Sequence, residues 1–286
     1  MIKTKFFPSS GFYVFRSNQI SFCMNLEGHS QYYWNREIPE IRLTGAIPLW
    51  LDFEGVSVLP AIPFKPALFL DLPSQTKVKR LLYRRLNKAY DKLFRKPYES
   101  GFGFYYKKQR EVFFISGLSS VESNLNNKNV ILQGTGQLYK SIAKGLPSFI
   151  ESFVDAKNLR ISKVQSVCNK KILMRSNLIK VCEEIKNPES FSKVCFSIRT
   201  HVDTTIIGRD SGIYFKMPNN IIMGVHVGEL KKLTRAQSVS STGGLTLWTL
   251  EIENSNDTSK FEAIIAFGRT KEDIIRTIQH EIKKPN

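Results

Sequence analysis

Apolar and polar positions alternate with three different periods along the chain. From residue 10 to 72, short apolar runs are cut by Pro48, Pro60, Pro63 and Pro66. Proline cannot donate to a strand ladder, so these runs read as edge strands or extended loops, and regular helix is excluded. Within them "GFYVFRSNQISFCMN" alternates on both sides of Ser17-Asn18-Gln19 and predicts a hairpin. Then the period lengthens. Val78, Leu81, Leu82, Leu86, Ala89, Tyr90, Leu93 and Phe94 recur at three- and four-residue spacing, preceded by Pro73 and Ser74 or Thr76 and followed by Pro97. That pattern predicts an amphipathic helix over 76–96.

Beyond the helix, "GFGFYYKKQREVFFISG" predicts an aromatic hairpin over 101–116, "SSVESNLNNKN" a loop, "VILQ" a short strand and "GTG" a turn. Residues 146–157 and 176–186 read as helices, the second ended by Asn187-Pro188. From 193 the period becomes two, and "KVCFSIR", "TTIIG", "GIYFKM", "NIIMGVHVG", "LTLWTLEIE" and "FEAIIAFG" are strand candidates. Thr270-Lys271-Glu272-Asp273 has the form of a capping box, and Ile274, Ile275, Ile278 and Ile282 continue it as a terminal amphipathic helix. The expectation is an α+β chain: a strand-rich N-terminal region, a central basic amphipathic helix, and a C-terminal antiparallel sheet with a covering terminal helix. The expected division is a region over 1–125, holding the helix and the aromatic hairpin, and an α+β region over 126–286.

Charge adds a partner to this picture. The 286 residues carry 42 Lys plus Arg against 25 Asp plus Glu, a net +17. Such an excess repels other copies and attracts polyanions: nucleic acid first, then an anionic membrane surface. The excess is concentrated. Residues 77–110 hold twelve cations (Lys77, Lys79, Arg80, Arg84, Arg85, Lys88, Lys92, Arg95, Lys96, Lys107, Lys108 and Arg110) against the two acids Asp91 and Glu99. Like charges four residues apart destabilise a helix, so an uncompensated face points to an anionic partner. The expected function is non-enzymatic nucleic-acid binding, with RNA or a single strand favoured, inside a larger nucleoprotein assembly. The expected contacts are Lys79, Arg80, Arg84, Arg85, Lys88, Lys92, Arg95, Lys96, Lys107, Lys108 and Arg110 on phosphates, with Phe104 and Tyr106 stacking on bases. A basic matrix-like protein on anionic membrane is an alternative, and protein partners or self-association remain open.

Catalytic motifs are weaker. "GFGF" resembles the first ribonucleoprotein motif of RNA-recognition domains. That fold, however, needs a strand between its first helix and the motif, and Ser100 and Lys107 stand where a cation and a ring are expected. No family is assigned. Gly134 to Ser141 has phosphate-loop spacing, but Tyr139 replaces the second glycine. A metal-dependent nuclease is the leading enzymatic alternative, on Asp155 with Lys157, Glu184 with Lys186, or Asp210 with Lys216. No cofactor, metal ligand set or catalytic residue is assigned. Cys23, Cys168, Cys182 and Cys195 show no zinc spacing and read as reduced thiols of an intracellular protein. The first 26 residues lack Asp and Glu, as organellar targeting peptides do, but the hairpin reading is preferred.

Overall fold

The computed structural model describes residues 2–7, 11–26, 47–59, 76–94, 102–109, 111–126, 129–143, 159–186, 191–210, 212–238, 245–252 and 259–284. Strand accounts for 68% of them, laid out as a small sheet and a large curled antiparallel one. The expected α+β architecture with a central helix is therefore corrected to a strand-dominated one.

The small sheet runs in sequence order: β1 (Lys3–Phe7), β2 (Phe12–Arg16), β3 (Ile20–Asn25), β4 (Ile47–Phe53) and β5 (Val56–Leu59). The turn between β2 and β3 closes because Ser17 Oγ accepts from the backbone N–H groups of Gln19 at 3.2 Å and Ile20 at 2.9 Å. A helix, α1 (Lys77–Phe94), follows. Thr76 Oγ1 accepts from the Lys79 N–H at 3.4 Å at its N-terminus.

The large sheet contains β6 (Phe102–Lys108), β7 (Glu111–Leu125), β8 (Val130–Ala143), β9 (Leu159–Met174), β10 (Leu178–Lys186), β11 (Lys193–His201), β12 (Thr205–Arg209), β13 (Ile213–Lys216), β14 (Ile222–His226), β15 (Leu230–Ser238), β16 (Leu245–Ile252) and β17 (Lys260–Gly268). Their spatial order is β12-β13-β14-β17-β10-β9-β8-β7-β6-β11-β16-β15. Open twisted sheets of more than about ten strands curl rather than stay flat. Here register shifts between Ile115 and Leu118, Ser119 and Glu122, and Gln137 and Tyr139 add local bends to the longest strands.

Curling encloses one face. Tyr106, Phe196, Ile172, Val181, Ile265, Phe215 and Leu250 from the large sheet share a single core with Phe15, Phe22, Leu51 and Phe53 from the small one. The Phe53 and Phe267 rings stack at 5.6 Å across the two sheets. The Leu118 N–H donates to the Leu26 carbonyl at 2.8 Å, tying the small sheet to β7.

Among the described residues, α2 (Lys271–Ile282) covers one part of the outer face. It starts at Thr270, whose hydroxyl accepts from the Asp273 N–H at 3.3 Å. Its Ile274 and Ile278 bury Leu178, Tyr214, Ile264 and Ala266. Gly224 lets the helix seat closely, because a Cβ there would lie 2.4 Å from Ile274 Cγ2. Covering both faces of β17 explains why "FEAIIAFG" is apolar at consecutive positions: Phe261, Ala263, Ile265 and Phe267 face the core, and Ile264 and Ala266 face α2.

Three local expectations are corrected. Residues 178–186 are strand β10, not helix. The inward row of β10 is Ile179, Val181, Glu183 and Ile185, and the buried Glu183 breaks the apolar alternation that would have marked a strand. The "SSVESNLNNKN" loop is instead the far end of the β7–β8 hairpin, with Ser119, Glu122, Ser123 and Asn124 exposed past the core. The "GTG" turn is continuous strand within β8, where Tyr139 stacks on Phe114 at 6.2 Å, so no phosphate loop forms. Residues 146–157 lie outside the described residues.

Candidate functional site

Beside α2, the outer face carries a groove of about 870 Å³. Strand pairing explains its composition. Three cross-strand rows run over β8, β9, β10 and β17: Gln133–Lys171–Cys182–Glu262, Thr135–Asn169–Glu184–Lys260, and Ile131–Leu173–Lys180–Ile264. Directly opposed side chains on one face of a sheet touch, so these rows set which groups can interact.

Most of the charges are matched. Lys180 Nζ lies 2.9 Å from Glu262 Oε2, and Lys260 Nζ lies 3.3 Å from Glu184 Oε1. Gln133 Nε2 donates to Glu122 at 2.9 Å. At the α2 end, Glu281 bonds to Arg175 and to Lys284, the latter at 3.2 Å, while Arg175 Nε donates to Asn129 Oδ1 at 3.0 Å. Lys171 is exposed at the middle of the first row and has no carboxylate partner among the described residues. The lining totals six Lys and Arg against five Glu. It is therefore a mixed donor–acceptor surface in which, among the described residues, Lys171 lacks a carboxylate partner.

Burial, then the charge of Glu262, pushes Cys182 up to about 11. The thiol donates to Glu262 Oε2 at 3.6 Å. Glu281 moves the other way: burial raises it, but hydrogen bonds and charge from Lys284 and Arg175 outweigh burial and hold it below the ordinary carboxylate value. Its ion pairs stabilise the fold above the unfolded value of about 4.3 and are lost as pH falls through the lower folded value. Glu281→Gln is therefore expected to flatten the acid limb of a melting-temperature profile measured from neutral pH down to about 3. An unchanged acid limb would show that this carboxylate does not anchor α2.

At the floor of the groove, facing the core, lies a buried ionic cluster. Glu183 is 1% exposed and Lys170 3%. Lys170 Nζ lies 3.0 Å from Glu183 Oε1, and the Tyr106 hydroxyl donates to Glu183 Oε2 at 2.6 Å. Burial, then the Glu183 charge, holds the Tyr106 phenol well above its ordinary value.

The residues expected to bind nucleic acid are not brought together here. Phe104 (7% exposed) and Tyr106 (0%) are core residues, which overturns their stacking role. Phe104 meets Phe196 edge-on at 4.9 Å, and Tyr106 stacks on Phe191 at 4.8 Å. Lys107 and Lys108 are half-buried on β6. Lys79, Arg84 and Arg85 are exposed on α1 and Arg80 is half-buried. Lys88 and Lys92 lie in the part of α1 whose side chains are not described, and Arg95, Lys96 and Arg110 lie outside the described residues.

Of the nuclease candidates, Glu184 pairs with Lys260, and Asp210 pairs with Lys271 at 2.7 Å. Asp155 lies outside the described residues. Among the described residues no group of three His, Cys, Asp or Glu could hold a metal, and no helix is long and apolar enough to cross a membrane.

The groove residues Gln133, Lys171, Lys180 and Glu262 escaped the sequence reading. The signal was the alternation in "LRISKVQSVCNKKILM", where Lys163, Gln165, Asn169 and Lys171 occupy one parity. It was obscured because Ser166 and Lys170 occupy the other, inward parity.

No protein-family model matches the chain, and no curated protein does. Solved structures do. The crystal structure of heparan sulfate lyase HepC from Pedobacter heparinus matches with a TM-score of 0.52 at 10% identity, over 93% of this chain and 37% of that one. A mutant of the same lyase matches with a TM-score of 0.51 at 9% identity, over 92% and 36%. Heparinase III matches with a TM-score of 0.51 at 12% identity, over 95% and 37%. The chain thus spans little more than a third of the length of these proteins, and at such identities what it shares with them is the strand fold.

Proposed function

We propose that the chain is a binding module for an acidic polysaccharide, held in the outer-face groove. The observation that carries this reading is the pair of polar cross-strand rows, Gln133–Lys171–Cys182–Glu262 and Thr135–Asn169–Glu184–Lys260, with Lys171 lacking a carboxylate partner among the described residues. Small-molecule pockets are lined mostly by apolar side chains, whereas most of the residues lining this groove are polar or charged. Sugar hydroxyls both donate and accept, as the amides of Gln133 and Asn169 can in return, while the ion-paired carboxylates accept. A sulfate or carboxylate on the sugar would meet Lys171, and charge-assisted bonds of this kind are the stronger ones. The net charge of +17 attracts such a chain from a distance. The choice of an acidic polysaccharide over other polyanions is supported by the likeness of the fold to proteins described as heparan sulfate lyases.

The nucleic-acid reading keeps the cations of α1 but loses its rings, because Phe104 and Tyr106 are buried.

Binding to heparin and to neutral dextran, measured by calorimetry across a salt series, tests the proposal. Heparin binds and dextran does not. Lys171→Glu weakens heparin binding by about tenfold, the scale of one charge-assisted bond, without lowering the melting temperature. Undiminished heparin binding by Lys171→Glu, or none by the wild type at low salt, would remove the groove from consideration.

A further inference from the structure

The first half of α1 presents two faces that do not belong together in water. Val78, Leu82 and Leu86 follow one another at four-residue spacing, with Leu81 beside them. They are 79%, 52%, 39% and 53% exposed respectively. None joins either hydrophobic core among the described residues. Lys77, Arg80 and Arg84 form the opposite stripe, while Lys79 borders the apolar one and Arg85 stands within it, one turn after Leu81. Residues 77–86 contain no acid, and neither does the first turn of the helix. Soluble helices bury their apolar stripe and mix charges on the other side.

We propose that α1 lies in the surface of an anionic lipid bilayer. A large apolar–basic segregation in a helix of low mean hydropathy is the signature of helices that rest in the interface plane, with leucines at the acyl boundary and cations among the headgroups. Lys79, at the border, and Arg85, between the leucines, reach the headgroup layer while their stems lie along apolar surface. Tyr83, with Lys79 over its ring at 5.5 Å, is an interfacial residue type.

Other occupants fit less well. A nucleic acid would use the cations and leave the leucines in water, since phosphate binding needs no apolar stripe. A second copy would bring like charge against like, at a net +17 each.

Flotation of the full chain with vesicles of phosphatidylcholine alone, or mixed with phosphatidylserine, tests this at physiological salt. A single-stranded RNA oligonucleotide is assayed in parallel. The wild type floats with the anionic vesicles and not with the neutral ones. Arg84→Glu/Arg85→Glu loses about fivefold for each cation removed. Leu82→Gln/Leu86→Gln keeps good helix formers and loses about tenfold or more. Neither variant melts lower than wild type, because the replaced side chains are exposed, and heparin binding is unchanged in the leucine variant, which keeps the full net charge.

Four outcomes would each overturn the proposal. The leucine variant could float as the wild type does. The chain could retain RNA and ignore vesicles. The leucine variant could melt several degrees lower, showing that the chain itself covers the stripe. Its sedimentation coefficient could fall, showing that a second copy does.

Discussion

Glu183→Gln is expected to destabilise the chain by about 3–5 kcal/mol, read as a shift of the urea midpoint at neutral pH. The substitution preserves shape and leaves Lys170 charged, 3% exposed and without its carboxylate. An ion deprived of its partner in a low-dielectric core is among the costliest single defects, well above an exposed salt bridge at about 0–1 kcal/mol. The pair itself need not be stabilising, because desolvating two charges offsets most of their attraction. Glu183→Gln/Lys170→Met should therefore recover most of the loss.

Tyr106→Phe should cost less, about 1–3 kcal/mol, since it removes one donor to Glu183 and leaves the ion pair in place. The Tyr106 phenol is also raised in the fold, so its contribution is present below the unfolded value of about 10 and fades as pH climbs past it. If Glu183→Gln shifted the midpoint by less than about 1 kcal/mol, the cluster would not be a desolvated ion pair.

Phe104→Ala is the second large effect, a loss of about 3–5 kcal/mol with no loss of polyanion binding by the molecules that stay folded. The ring is 7% exposed and packs against Phe196 at 4.9 Å and Phe261 at 6.3 Å. Its removal leaves a cavity between the facing walls of the curled sheet. Heparin and RNA binding measured at low temperature, beside the denaturation midpoint, separates the two roles. Lost binding at unchanged stability would put the ring on the surface, as the sequence had suggested.

The aromatic strand shows why the sequence misled. "GFGFYYKK" places rings at Phe102, Phe104 and Tyr106 on one parity, with Tyr105 and Lys107 on the other. Period two says that the first three share a face. It does not say which face is wet. Pairing decides: β6 lies between β7 and β11, and Phe104 is opposite Phe196 in register, so that parity faces the core. Lys107 sits 5.7 Å over the Tyr105 ring on the opposite side. A ring beside a cation is thus present, but on Tyr105, which is itself 7% exposed.

The helix reading of 176–186 failed for a related reason. "LIKVCEEIK" shows no clean alternation because Glu183 takes an inward position. A buried carboxylate is tolerable only when its partners arrive from elsewhere. Lys170 comes from β9 and Tyr106 from β6, 13 and 77 residues away in sequence. Nothing local to β10 announces them. The groove follows the same logic, since Gln133, Lys171, Cys182 and Glu262 lie on four strands and meet only through register.

Local order was legible where a segment's own residues decide it. The Ser17 turn, the two amphipathic helices with Thr76 and Thr270 at their starts, and the strands after 193 other than β15, whose residues 235–238 read as a loop, depend on spacing and on short-range hydrogen bonds. So did the sign and concentration of charge. The tertiary structure alone decided that the long strands join one curled sheet, which parity of each strand is enclosed, and that α2 covers part of the outer face beside the groove. Spacing along a chain settles which side chains share a face. Burying that face needs a second surface from a distant part of the chain, and the local pattern is the same whether or not that surface arrives.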